Sequence, residues 1–130
     1  MAELSDYMEN AIINQMRNVA GVQAPAYVAL FTAVTGLEAD SGWSGTEVSG
    51  GAYARQLAGL TAASGGASSN AADITFPQAS ADWGLITHAA LMDAITGGHV
   101  LMWTQLDASK QINNGDTFKF NAGDLDVTLD

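Results

Sequence analysis

The chain has 130 residues, with 4 Lys/Arg against 14 Asp/Glu, a formal charge of -10, and no Cys. That length fits one domain with a self-sufficient core, and the missing cysteines remove disulfide frameworks, thiolate metal sites and Cys nucleophiles together. So acidic a surface repels phosphate backbones and anionic membranes, which argues against nucleic acid and membrane as partners.

No basic n-region followed by a long apolar segment opens the sequence, and no run reaches the ~18 apolar residues of a membrane-crossing helix. The expectation is a soluble chain, not exported by a signal peptide. Leu4, Tyr7, Met8, Ala11, Ile12, Met16 and Val19 recur at helical spacing and predict one amphipathic helix within residues 1–21. Ile13 lies beside the stripe and widens it. Asp6 and Glu9 near the start and Arg17 near the end agree with the helix dipole.

Beyond Gly21 the period changes. Residues 26–34 (AYVALFTAV) are apolar on both alternating faces and bounded by Pro25 and Gly36, as in a central, covered strand. Residues 35–51 read as loop and carry Trp43 among Ser, Gly and Asp; residues 53–60 read as a strand. Residues 60–72 are biased to Ala, Ser and Gly, which fits a flexible loop or a strand of small residues in close contact. In 73–76 the alternation puts Ile74 and Phe76 on one face. Residues 85–92 and 100–106 flank Ile95-Thr96-Gly97-Gly98, a hairpin signal. Asn113-Asn114-Gly115-Asp116 is a turn. It precedes 117–121, with Phe118 and Phe120 on one face, and 125–129, with Leu125, Val127 and Leu129 inward. About seven short strands separated by turns predict an all-β fold of β-sandwich type, jelly-roll-like arrangements included. The predicted organisation is a single domain, 1–130, with the helix in 1–21 and the sandwich in 22–130.

Chemistry-bearing sets are sparse. His88 and His99 lie on the two arms of the hairpin but lack a third ligand at fixed spacing, so no metal site follows. The aspartates 73, 82, 93, 107, 116, 124, 126 and 130 flank strands, where turns favour Asx residues. No Gly-x-Ser-x-Gly elbow is present, and the Gly-Gly pairs open no helix that would cradle phosphate. No catalytic residue, cofactor or metal is expected. Trp103 falls within a strand and reads as core. Trp43 and Trp83 fall in loops and, with Arg55, one of only four basic residues, are the candidate protein contacts.

Three segments carry a resemblance: residues 46–56 (TEVSGGAYARQ), 69–77 (SNAADITFP) and 81–88 (ADWGLITH). They are joined by 94–101, Ser109-Lys110, 113–118, 122–125 and the opening 4–10 with 27–32. Together these resemble a recurrent family of small phage virion proteins, tail-fibre-like or head-decoration-like. The resemblance implies a non-enzymatic virion component, assembled in the host cytoplasm, and transfers no catalytic residues. A shaft would show repeats or heptads, and neither is present. A capsid decoration (cement) protein is therefore the first expectation, a tail- or fibre-associated module the second, and a host-glycan-binding module the third. The expected partners are the major capsid protein or other virion proteins, and further copies of the chain as a homo-oligomer.

Overall fold

The computed structural model describes residues 3–18, 25–40 and 44–128. It is mostly β with one N-terminal helix, in a sandwich-like arrangement, as the sequence predicts. Three long strands form its centre: β2 (Tyr27–Thr35), β7 (Gly84–Met92) and β8 (Val100–Ile112). At the edges, β1 (Glu3–Leu4) pairs with β8, while β3 (Ser44–Glu47) and β4 (Gln56–Leu57) pair with β2. Two small sheets complete the fold. One joins β5 (Ala67–Ser69) to β10 (Asp126–Thr128), the other β6 (Ile74–Thr75) to β9 (Lys119–Phe120).

Cross-strand register explains why β2 is apolar on both sides. Val28 pairs with Leu91, and Leu91 with Met102; this face shares its core with Ile74, Phe76, Phe118 and Leu125 from the small sheets. Ala29 pairs with Ala90 on the opposite face, which joins Phe31, Met92 and Val100 beneath Leu37 of a 3-10 turn, Leu37–Ala39. Each fully buried large side chain here, such as Phe31 or Phe76, contributes roughly 1.5–3 kcal/mol of transfer free energy.

The helix, α1, spans Asp6–Met16, shorter than the stripe suggests. Its limit is Ser5, completely buried, whose Oγ caps the Met8 N–H at 3.2 Å and donates to the Val100 carbonyl. The Ser5 N–H also reaches the Leu101 carbonyl at 3.0 Å. This pins the chain to β8, so Leu4 pairs in β1 with Met102 instead of extending the helix. At the other end Asn18 turns left-handed, φ 63, and stops the helix. Val19 to Gly21 lie outside the described residues. No helix residue is fully buried, and Tyr7 and Met8 of the stripe pack, partly buried, against the core.

Two other expectations are corrected. Within 35–51 the chain forms the 3-10 turn and the edge strand β3, whose small polar residues carry no alternation to reveal it. Gly45 permits the pairing: at φ +142 it lies where a Cβ would come 1.9 Å from the Ala33 carbonyl oxygen, beside a register shift in β2. Within 53–60 only Gln56 and Leu57 enter a ladder, and Tyr53 and Arg55 make the side-chain bonds described below. Residues 67–69 do form a strand of small residues, folded back through Ser64↔Ala67 and Leu60↔Asn70. The hairpin of β7 and β8 is as expected, though β8 runs on to Ile112.

Candidate contact surface

Arg55, one residue before β4, pairs with a carboxylate. The pair is internal: Nε and Nη2 grip the two oxygens of Glu47 at 2.8 Å each, in bidentate fashion. Nη1 donates to the carbonyls of Ala94 and Gly97 at 2.8 and 2.7 Å, tying β3 to the tip of the β7–β8 hairpin. Tyr53 donates its hydroxyl to the same Glu47 oxygen at 2.7 Å and accepts the Leu30 N–H at 3.1 Å. Glu47 raises the Arg55 pKa, and burial, followed by the bond to Glu47, raises that of Tyr53. With Arg55 only 6% exposed, this group is a strut within the chain, which corrects its expected place on the contact surface.

Trp83 is corrected on the same ground. It is 6% exposed, donates Nε1–H to the Gly51 carbonyl at 2.9 Å, and meets Tyr53 edge-on at 5.5 Å between ring centroids. Phe76 packs against it at 6.5 Å and against Phe118 at 5.7 Å, so an aromatic cluster fills the space between the large sheet and β6–β9. Loop position misled here because a loop residue can still point inward. Trp43 lies outside the described residues. Trp103 is half-buried and donates to Glu38 at 2.9 Å.

The histidines are not brought together. His88, in β7, pairs in register with Gln105, and burial lowers its pKa. His99 instead binds Asp40 at 2.8 Å and stacks on Tyr7 at 3.9 Å. Five of the aspartates accept backbone N–H groups, three within local turns and two, Asp73 and Asp82, across to another segment. Asp73, Asp82, Asp93, Asp116 and Asp124 accept the backbone N–H of Ala122, Asn114, His99, Asn113 and Asn121 respectively. The Ala122 N–H, and then Lys119, lower the Asp73 pKa.

Two surface features remain. The first is a groove of about 640 Å³ between the outer half of β8 and the β9–β10 segment, lined by Leu106, Lys110, Phe118, Phe120, Asp124 and Asp126 among others. On this side no strand pairs with residues 105–111 among the described residues. A register shift after Ile86 leaves 106–109 as a bulge, and Lys110 sits over the Phe118 ring at 5.8 Å. Bulges and edge lysines blunt strand-to-strand pairing, so this edge is protected. The second feature is the outer side of α1. Ile13 and Met16 are 51% and 77% exposed there, and at the helix start the carboxylates of Asp6, Glu9 and Glu38 lie within 4.8 Å of one another. Three carboxylates offer oxygen ligands to a hard cation, yet one Glu38 oxygen already accepts from Trp103.

The sequence reading missed Ser5, Asn70 and Glu38, polar residues whose partners are remote in the chain. For the helix surface there was a signal: Ile13 lay off the main stripe. No curated protein sequence matches the chain. The sequence model of one family matches residues 3–128, nearly the whole length, and the chain belongs to that family, the phage virion family described as Podophage GP4 fiber I protein gp80.

Proposed function

We propose that the chain is a non-enzymatic structural module of the phage fibre, acting through protein–protein contacts. The observation that carries this reading is the family match over residues 3–128, whose description names a fibre. That description moves the fibre ahead of capsid decoration, which was the first expectation from sequence. The side chains agree with it. Arg55, the buried polar groups and most of the turn aspartates are spent on holding the fold, as in the Arg55–Glu47–Tyr53 group and the Asn70 bonds to Ala72, Asn121 and Leu125. Copy number in purified particles, measured by quantitative mass spectrometry against the major capsid protein, tests the placement. A low, fixed copy number together with antibody labelling at the tail end is the expected result. Hundreds of copies spread over the head would replace it with capsid decoration.

A further inference from the structure

The turn after β8, Asn113-Asn114-Gly115-Asp116, contains a chemically reactive pair. Of the seven asparagines in the chain, Asn114 alone is followed by glycine. Asparagine counts among the thermolabile residues, and a glycine behind it carries no Cβ to shield its backbone nitrogen from the asparagine side chain. Asn114 is exposed, and its side chain makes no hydrogen bond among the described residues. Gly115, at φ +94, has open space where a Cβ would stand. The side-chain amide carbon is therefore accessible, and reactivity is decided by the nitrogen.

That nitrogen is committed elsewhere. The Gly115 N–H donates to the Ala79 carbonyl at 2.7 Å, and the Ala79 N–H donates to the Asp116 carbonyl at 2.9 Å. Gln78 Nε2 donates to the Gly115 carbonyl at 2.9 Å, and the Asn114 N–H to Asp82 Oδ1 at 2.8 Å. These bonds clamp the turn to residues 78–82, and Ala79, 2% exposed, anchors the clamp in the core. To attack Asn114 Cγ the nitrogen must lose its proton, and a deprotonated nitrogen 2.7 Å from a carbonyl oxygen is repelled by it. We propose that Asn114 is a latent deamidation site, held unreactive by the clamp to residues 78–82 and released when that segment lifts. On release the Gly115 nitrogen bonds to Asn114 Cγ, the Cγ–Nδ2 bond breaks, and ammonia leaves with the proton from Gly115. Water then opens the cyclic imide to aspartate or isoaspartate. Isoaspartate adds an atom to the main chain, so the turn no longer fits Ala79 and a brief opening becomes permanent. The proposal goes beyond the reading of the chain as a structural module and is independent of it.

Mass spectrometry of the full chain, incubated in mildly alkaline buffer with and without guanidinium chloride, tests it, with peptide mapping to locate the product. The folded chain is expected to deamidate at residue 114 about a hundredfold or more slowly than the unfolded one, the factor set by how rarely the clamp opens. Amide hydrogen exchange measures that opening independently, and protection of the Gly115 N–H should match the ratio of the two deamidation rates. Asp82→Ala combined with Gln78→Ala removes the two side-chain bonds of the clamp and should speed the folded-state reaction about tenfold, with circular dichroism unchanged. Should that variant unfold, the wild type in sub-denaturing guanidinium takes its place, and deamidation and exchange should rise together. Asn114→Gln should remove the product in every condition, because the longer side chain closes the ring far more slowly. Equal rates in the folded and unfolded chain, a rate indifferent to loosening of the clamp, or modification centred on another asparagine would each overturn the proposal.

Discussion

Arg55→Ala tests whether the Glu47–Tyr53–Arg55 group is a buried strut or a surface ion pair. Both Glu47 oxygens accept from Arg55, and only Tyr53 would be left to one of them. The carbonyls of Ala94 and Gly97 would lose their guanidinium donor. Side-chain exposure is 5% for Arg55 and 21% for Glu47, so water reaches the orphaned carboxylate only in part. Removing one partner of a buried pair costs about 3–5 kcal/mol, against about 1 kcal/mol or less for an exposed one. For a domain of this size that corresponds to a fall in Tm of roughly 10–20 °C. Urea unfolding followed by tryptophan fluorescence, carried through a cycle of Arg55→Ala, Glu47→Ala and the double variant, gives the stability and the coupling. The double variant should cost less than the two singles added, because neither charge is then left unpaired. A loss below about 1 kcal/mol for Arg55→Ala, with no coupling, would refute the assignment of a buried strut.

Gly51→Ala should cost about 1–3 kcal/mol, since it places a Cβ 2.9 Å from Trp83 Nε1 at a backbone φ of +56. Gly50→Ala, at φ +71 with open space around it, should show the backbone part alone, and equal losses from the two would refute a Trp83 contact. His88 has a folded-state pKa below its ordinary value of 6.5 because it is partly desolvated. Its contribution to stability is therefore intact above that value and is lost as pH falls through the folded-state pKa. His88→Gln should flatten the pH dependence of the urea midpoint between about pH 7 and pH 5, and an unchanged slope there would remove His88 as its source.

The fold was legible where burial follows the period of the backbone. The two-sided apolar run became β2, the alternation in 73–76 buried Ile74 and Phe76, and Gly97-Gly98 marked the central hairpin. It was not legible where small polar residues form an edge strand, as in β3, because such a strand buries nothing that the pattern can record. Nor was the helix start, since the Ser5 cap gains its force from Val100, far along the chain. The expected exposure of Trp83 was not met for a related reason. Exposure was inferred from loop position, but Trp83 is turned inward by its bond to Gly51. Asn70, 1% exposed, ties its own segment to residues 121–125 with both ends of its amide, yet stands in a run of Ala, Ser and Gly that reads as featureless.

With only four cations in the chain, the position of each one narrows where an external partner can act. Arg55 is consumed by Glu47 and two carbonyls. Lys119 lies 3.4 Å from Asp73, and Lys110 rests over Phe118, so both serve the β9 region. Arg17 has no acidic partner among the described residues, although acids exceed bases by ten. An exposed arginine on water alone costs little, so its isolation by itself decides nothing. It ends a helix face with Ile13 and Met16 exposed at the centre and, at the start, three carboxylates of which Glu38 already accepts from Trp103. Of the loop aromatics first expected to make contacts, Trp83 is enclosed, and Trp43 lies outside the described residues.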